Sequence, residues 1–333
     1  MQKAFPDGKL GRKISKWYLS QGRHALPWRK NISGYRVWIS EIMLQQTQVI
    51  TVIPFFKRFM DRFPNLKSFL SASEEEILAL WSGLGYYRRA RNIFQAKEII
   101  KNLHNGRFPK NFDEILSLPG IGRSTAGAIA SIAYGQPFPI LDTNVKRVLF
   151  RVHALTGNEK EKELWNLATA IQDGNDLFSY TQGVMDLGAS ICLREEPKCQ
   201  DCPLNKDCLS AFKASQAIPI KKLNKKKLMN MQFYLFMDQE NFLAQKNNDL
   251  SIWSGLWLLP TEIPKNFVNN FKKLSAKNIQ HQLSHRTLNI TFTICKMKSL
   301  LKPETNHEYK TVKIREFSNL GMPKPITELI QNL

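Results

Sequence analysis

Apolar residues recur at helical spacing through the first two-thirds of the chain, then give way to short alternating runs. The clearest stripe is Val49, Val52, Ile53, Phe56, Phe59, Met60 and Phe63, one broad face of an amphipathic helix. Pro54 lies inside that stripe and predicts a kink or a late helix start, because proline lacks the amide the ladder needs. In the last third, MQFYLFMD, WSGLWLLP, NITFTICKM and YKTVKIREF read as strands, and a helical pattern from Pro325 to Leu333 closes the chain. The charge-dense run KKLNKKK at 221–227 separates the two regimes and reads as a solvated connector. The pattern predicts a multidomain chain, with an all-α domain over 1–220, a basic linker over 221–229 and a smaller α+β domain over 230–333.

Charge narrows the partner. Lys and Arg number 48 against 28 Asp and Glu, a formal net charge of +20 over 333 residues, which attracts nucleic acid or an anionic membrane. The N-terminal MQKAFPDGKLGRK has no apolar run of the signal-peptide kind, and no stretch approaches the roughly 18 apolar residues of a membrane span. The expectation is a cytoplasmic, monomeric nucleic-acid-binding protein without membrane association, lying with the nucleoid if the source is bacterial.

Candidate chemistry is densest at four cysteines. Cys192, Cys199, Cys202 and Cys208 fall within 17 residues at the spacing C-x6-C-x2-C-x5-C, with Pro197 and Pro203 stiffening the loop between them. Structural zinc usually takes two separate short-spaced pairs, and only Cys199 and Cys202 form one here. One tight loop of four thiolates suits a [4Fe–4S] cluster better. Disulfides are a third reading, disfavoured because nothing else in the chain looks secreted. Arg194, Lys198 and Lys206 put positive charge around the loop, as expected of a surface that meets a polyanion. Cys295 lies in the alternating run NITFTICKM and reads as a plain free thiol.

Three further constellations lie in the helical part. In LPGIGRSTAGAIASIA (118–133), Gly120 and Gly122 allow a tight hairpin between NFDEILSL and a small-residue helix. The exposed amides of such a turn form a ready site for a phosphate. In YRVWISEIMLQQTQV, Trp38, Ile39, Ile42 and Met43 face a core, which sets Glu41 at an apolar margin where its carboxyl can stay protonated near neutral pH. Gln45, Gln46, Thr47 and Gln48 interrupt two apolar helical stretches and predict an exposed tip. In WSGLGYYRRARN (81–92), Tyr86 and Tyr87 suit stacking, beside phosphate contacts from Arg88, Arg89 and Arg91.

Together these signals resemble the MutY family of adenine DNA glycosylases, within the helix-hairpin-helix superfamily that includes endonuclease III. The motifs that carry the resemblance are LPWR, SEIMLQQTQV, WSGLGYYRRARN, LPGIGRSTAGA, LDTNVKRV, QGVMDLGA and the cysteine loop, from about Leu26 to Cys208. The resemblance implies removal of adenine mispaired with 8-oxoguanine or guanine in double-stranded DNA, and a [4Fe–4S] cluster as cofactor. It assigns Glu41 as the acid that protonates the adenine and Asp142 as the carboxylate that stabilises the oxocarbenium-like sugar. Asp142 is also expected to cap the helix that begins at Thr143. Gln46 and Tyr86 match positions that wedge into the base stack, and Leu26, Trp28, Arg29 and Gln182 match the pocket for the flipped adenine. Ser124 stands where glycosylases with lyase activity carry a lysine, which implies a monofunctional enzyme.

The last third resembles the Nudix-like module that reads 8-oxoguanine in this family. WSGLWLLP matches its aromatic-glycine strand, and HQLSHRTLNI matches its recognition loop, where Ser284 and His285 offer hydrogen bonds to the lesion. Leu283 departs from the aromatic or threonine common at its position. The glutamate-rich Nudix helix is absent after Pro260, so no nucleotide hydrolysis is expected there.

Overall fold

A computed structural model describes residues 8–213, 226–248, 252–300, 303–304 and 307–333. The chain begins with eleven α-helices among the described residues. They are α1 (Lys9–Gln21), α2 (Gly34–Leu44), α3 (Val49–Arg62), α4 (Leu66–Leu70), α5 (Glu74–Trp81) and α6 (Arg88–Leu103), then α7 (Phe112–Ser117), α8 (Arg123–Tyr134), α9 (Thr143–Val152), α10 (Glu161–Ala170) and α11 (Leu177–Asp186). Six strands follow: β1 (Lys227–Met237), β2 (Asn241–Lys246), β3 (Trp257–Leu258), β4 (Phe271–Gln282), β5 (Arg286–Met297) and β6 (Tyr309–Lys313). Helix α12 (Lys324–Gln331) closes the chain.

These elements form two compact units, one of residues 1–71 and 95–221 and the other of 72–94 and 222–333. The contiguous division expected from the charge run is therefore corrected: α5 and the start of α6 group with the C-terminal sheet. Leu78 and Glu75 of α5 meet Gly321 and Trp257, contacts that no local pattern announces. Residues 221–225 of the basic run lie outside the described residues, and 227–229 are strand, not linker, because β1 pairs in register with β5 from Lys227 onward.

In the first unit, α3 buries Val52, Phe56, Phe59 and Met60 as the stripe predicts. Its start is not delayed, since the helix begins at Val49 and runs through Pro54. The carbonyl that Pro54 leaves without a donor belongs to Ile50, one of the exposed residues, where water can serve it. Helices α7 and α8 form the expected hairpin, turning at Gly120 (φ 81°) with Gly122 as the N-cap of α8.

The second unit holds a mixed sheet in the order β3-β2-β1-β5-β4, with β6 also paired to β2 and only β1–β5 parallel. Phe233, Leu235, Leu288, Ile290 and Phe292 alternate inward along β1 and β5 and are buried. Cys295 is buried in a second cluster with Phe236, Leu243, Phe267 and Met297, as a free thiol. Two strands, β2 and β4, were not expected from the sequence. WSGLWLLP gives only the two-residue β3, and the run from Tyr309 leaves the sheet at Ile314 for a 3-10 turn. No helix among the described residues is long and apolar enough to cross a membrane.

Candidate active site

Helix α2 is capped by Ser33, whose hydroxyl accepts from the Arg36 amide, and buries Val37, Trp38, Ile39, Ile42 and Met43. That packing fixes the helix's rotation and leaves Glu41 facing a cavity of about 300 Å³. Asp142 lines the same cavity from the N-cap of α9, with Ser124, Gln45, Gln46, Arg23 and Asn144 also in the wall. The two carboxylates singled out in the sequence thus share one chamber.

Their environments differ. Burial raises the Glu41 carboxyl first and the neighbouring Asp142 charge second; Arg29 opposes both, and the net is a pKa pushed up to about 7. Asp142 is also raised by burial, against the Val145 amide (2.8 Å to Oδ1), the Asn144 amide (3.2 Å to Oδ2) and the Arg147 charge. Asp142 therefore carries built hydrogen bonds to its anionic form, whereas Glu41 sits where its protonated form is well populated near neutral pH. One group is set to give a proton and the other to remain charged.

Two devices hold Asp142 in place. The Leu141 amide donates to the Ser124 hydroxyl at 3.0 Å, tying the residue before Asp142 to the first turn of α8. Gly127 lies one turn further along α8 against Pro139, where an added Cβ would stand 2.4 Å from the Pro139 carbonyl oxygen. Only glycine lets the helix and this segment approach so closely. The polar tip is likewise tied down: the Gln45 side-chain amide donates to the Gly120 carbonyl at 3.3 Å, and Gln46 is exposed at φ 56°.

Beyond Asn144 the network continues to the cysteine loop. Arg147 donates to the Asn144 side-chain oxygen (2.8 Å), to the Cys192 carbonyl (2.7 Å) and to the Gly188 carbonyl. Arg151, one turn on, donates to Cys192 Sγ at 3.3 Å and to the carbonyls of Leu193 and Arg194. Helix α9 thus carries Asp142 at one end and grips the loop with its other turns. Cys192, Cys199, Cys202 and Cys208 line one cavity as free thiols. No group of three or more metal-ligating side chains among the described residues converges closely enough for a single ion. Four thiols lining one shared space supply the all-thiolate donor set that an iron–sulfur group or a structural zinc would need.

The adenine-pocket candidates take other positions. Leu26 and Trp28 are buried, Trp28 edge-on to Phe56 at 5.6 Å, and neither lines the cavity. Arg29 makes a two-pronged ion pair with Asp186 (2.7 and 2.8 Å) and lies over the Tyr18 ring at 5.3 Å. Asp186 is fully buried and also accepts from the Arg23 backbone amide (2.8 Å) and side chain (2.7 Å); against the burial that raises it, Arg29 first and Arg23 second hold its carboxyl below the usual range. It stands where α11 passes into a π-turn, Leu187–Ile191, just before Cys192. Breaking such a buried pair costs about 3–5 kcal/mol. Asp186→Asn should therefore lower Tm by several degrees in thermal unfolding, and an unchanged Tm would show the pair adds nothing to stability.

The family model of the HhH-GPD superfamily of base excision DNA repair proteins matches residues 39–171, and that of the NUDIX domain matches 231–332. An adenine DNA glycosylase of Buchnera aphidicola subsp. Acyrthosiphon pisum is 38% identical over 335 residues, covering 96% of both chains. Its counterpart in Buchnera aphidicola subsp. Schizaphis graminum is 40% identical over 337 residues, again 96% of both. The chain belongs to the adenine DNA glycosylase family. A thermostable thymine-DNA glycosylase shares the helical fold at TM-score 0.56 and 28% identity, over 61% of this chain and 95% of its own.

In this glycosylase the remaining candidates lie in the second unit. Tyr86 is 44% exposed at φ 50°, and Arg88 is exposed. Tyr87 is not a free stacking group, since its hydroxyl accepts from the Gly83 amide (3.1 Å) and donates to the Met322 carbonyl (3.4 Å). Arg91 is turned to Ser254 Oγ at 2.5 Å. Ser284 and His285 are the two exposed central residues of the tight β4–β5 turn, closed by the Leu283 amide on the Arg286 carbonyl at 2.8 Å. The side chains that reading by motif missed are Asp186, Arg23, Asn144 and Arg147. All but Arg23 lie inside quoted motifs, yet their type suggested ordinary helix surface.

Proposed function

We propose that this glycosylase hydrolyses the N-glycosidic bond of adenine mispaired with 8-oxoguanine or guanine, with no lyase step. The observation that carries the reading is the pair of carboxylates in one chamber, Glu41 set to hold a proton and Asp142 set to hold a charge. Glu41 protonates the flipped adenine, which leaves as a neutral base while Asp142 stabilises the cationic sugar, and water completes hydrolysis. Gln182 is 4% exposed, and Arg29 Nε is a buried donor without a partner among the described residues. A buried amide and an unused guanidinium N–H suit the edge of an extruded base. Gln46 and Tyr86 serve as wedges, and Gly120 and Gly122, with the amides at the start of α8, as a phosphate seat. Arg88 adds a phosphate contact from an exposed position. Arg91 supports that turn from its bond to Ser254.

Incubation with a duplex carrying A opposite 8-oxoguanine, then alkali, tests the proposal. Free adenine with strand cleavage only after base is expected; nicking without base, or no adenine, overturns it. Ser124 is the reason to expect no spontaneous nick, because its hydroxyl accepts from Leu141 and cannot form a Schiff base.

The four cysteines would hold a [4Fe–4S] cluster, whose part is to brace the loop that Arg147 and Arg151 grip. The purified protein should be brown with about four irons per chain. Colourless protein with stoichiometric zinc would reject the assignment.

Ser284 and His285 read the lesion in this proposal. 8-Oxoguanine adds a C8 carbonyl and an N7–H donor, and the exposed pair, 3.3 Å apart, offers both a donor and an acceptor. Each lost hydrogen bond removes about 1–3 kcal/mol of discrimination. The double alanine variant should lose more activity on A opposite 8-oxoguanine than on A opposite guanine. Equal losses in single-turnover assays would make the turn structural.

A further inference from the structure

The turn that carries Tyr86 is built on C-terminal residues, and its backbone needs that support. Tyr86 at φ 50° occupies the left-handed region, which a residue with a side chain holds only where its surroundings over-determine it. From within the turn, Trp81 Nε1 and Arg89 Nη2 both donate to the Gly85 carbonyl at 3.1 Å. The Arg89 guanidinium lies over the Trp81 ring at 5.4 Å and the Tyr86 ring at 5.3 Å. From the C-terminal part of the same unit comes a second set. The Met322 carbonyl accepts from Ser82 Oγ at 2.6 Å and from the Tyr87 hydroxyl at 3.4 Å, so one oxygen holds residues on both sides of Tyr86. Arg91 donates to Ser254 Oγ at 2.5 Å on the helix that follows. Before the turn, Gly321 sits so near α5 that an added Cβ would lie 2.8 Å from Leu78 Cβ.

We infer that the segment around Gly321 and Met322, with Ser254, is a mould that sets the Tyr86 ring for entry into the base stack. Ser82, Tyr87 and Arg91 are then positioning residues for that wedge. The inference rests on the reading of Tyr86 as a wedge, and it gives the C-terminal unit a second task beside Ser284 and His285. The arrangement is economical in chemistry: the Met322 acceptor is a backbone carbonyl, so it is insensitive to side-chain change at 322. Its two donors, Ser82 and Tyr87, can be removed without adding bulk.

The test uses the full chain and a mispaired duplex with 2-aminopurine at the base step beside 8-oxoguanine, whose fluorescence reports local unstacking. Three lock variants, Ser82→Ala with Tyr87→Phe, Ser254→Ala, and Gly321→Ala, are each made with and without Tyr86→Ala. The lock variants should diminish the fluorescence change on binding and slow single-turnover release by about tenfold, the scale of one or two lost hydrogen bonds. In the Tyr86→Ala background they should add nothing, because the part they position is already gone. The same slowing in both backgrounds, or unchanged rate and fluorescence in all three variants, overturns the mould. A Tyr86→Ala chain that behaves like the parent overturns the wedge reading itself, a separate failure from that of the lock.

Discussion

Glu41→Gln should leave the mispaired duplex bound while adenine release falls by about 10⁴-fold, the upper end of a general acid's usual contribution. The upper end applies because adenine leaves poorly as an anion, so the proton is required at the bond being broken. Glutamine preserves the shape and packing of α2, whose buried face is made by Val37, Trp38, Ile39, Ile42 and Met43 and not by Glu41. Loss of turnover without loss of binding would thus isolate the proton. The pH profile supplies an independent check. In the proposed mechanism Glu41 acts in its protonated form, and burial pushes its pKa up to about 7. The rate should therefore be maximal below that point and fall about tenfold per pH unit above it. On the acid side the rate should fall as Asp142 takes up a proton, at a pH above that of an ordinary aspartate because burial raises its carboxyl. The Gln variant should lack the alkaline limb. A variant that turns over near the parent rate, or keeps that limb, would place the acid elsewhere.

Part of this site is legible from residue order, for a physical reason, whereas the role of Asp142 is given only by the family resemblance. A glutamate flanked by residues that must face a core, next to an uncharged polar tip, leaves few roles open. Four cysteines within 17 residues narrow the reading to a soft metal centre, with disulfides disfavoured. The hairpin is legible too, since proline and paired glycines between helical periods signal a turn. What escapes is whatever depends on distant partners. Asp186 looks like any helical aspartate until Arg23 and Arg29 are seen closing on it. Strand β4 is exposed on nearly every residue as the edge of its sheet, so FKKLSAKNIQHQ shows no alternation to read. Tyr87 and Arg91 read as DNA contacts from composition, yet both serve bonds to Met322 and Ser254, more than 160 residues away. The same long-range contacts explain why α5 groups with the C-terminal sheet when the charge pattern drew the boundary near residue 220.

The second large effect belongs to Asp142. Asp142 accepts from the Val145 amide as the N-cap of α9, and asparagine caps helices about as well as aspartate, so Asp142→Asn should fold and bind DNA normally. What it loses is a full negative charge on a partly buried side chain, in the chamber where the proposed mechanism makes the sugar cationic. Removing one preorganised electrostatic partner of a developing charge typically costs about 10²–10³-fold in rate. That is the expected fall in single-turnover adenine release. A mere packing defect would give a similar number, so the decisive comparison is between two inert duplexes, one holding a cationic pyrrolidine in place of the target sugar and one a neutral tetrahydrofuran. The parent should prefer the cation, because an enzyme is complementary to its transition state. Asp142→Asn should lose that preference while binding the neutral site as before. If affinity for both analogues fell together, Asp142 would be a helix cap and nothing more, and the charge that steadies the sugar would have to come from another group in the chamber.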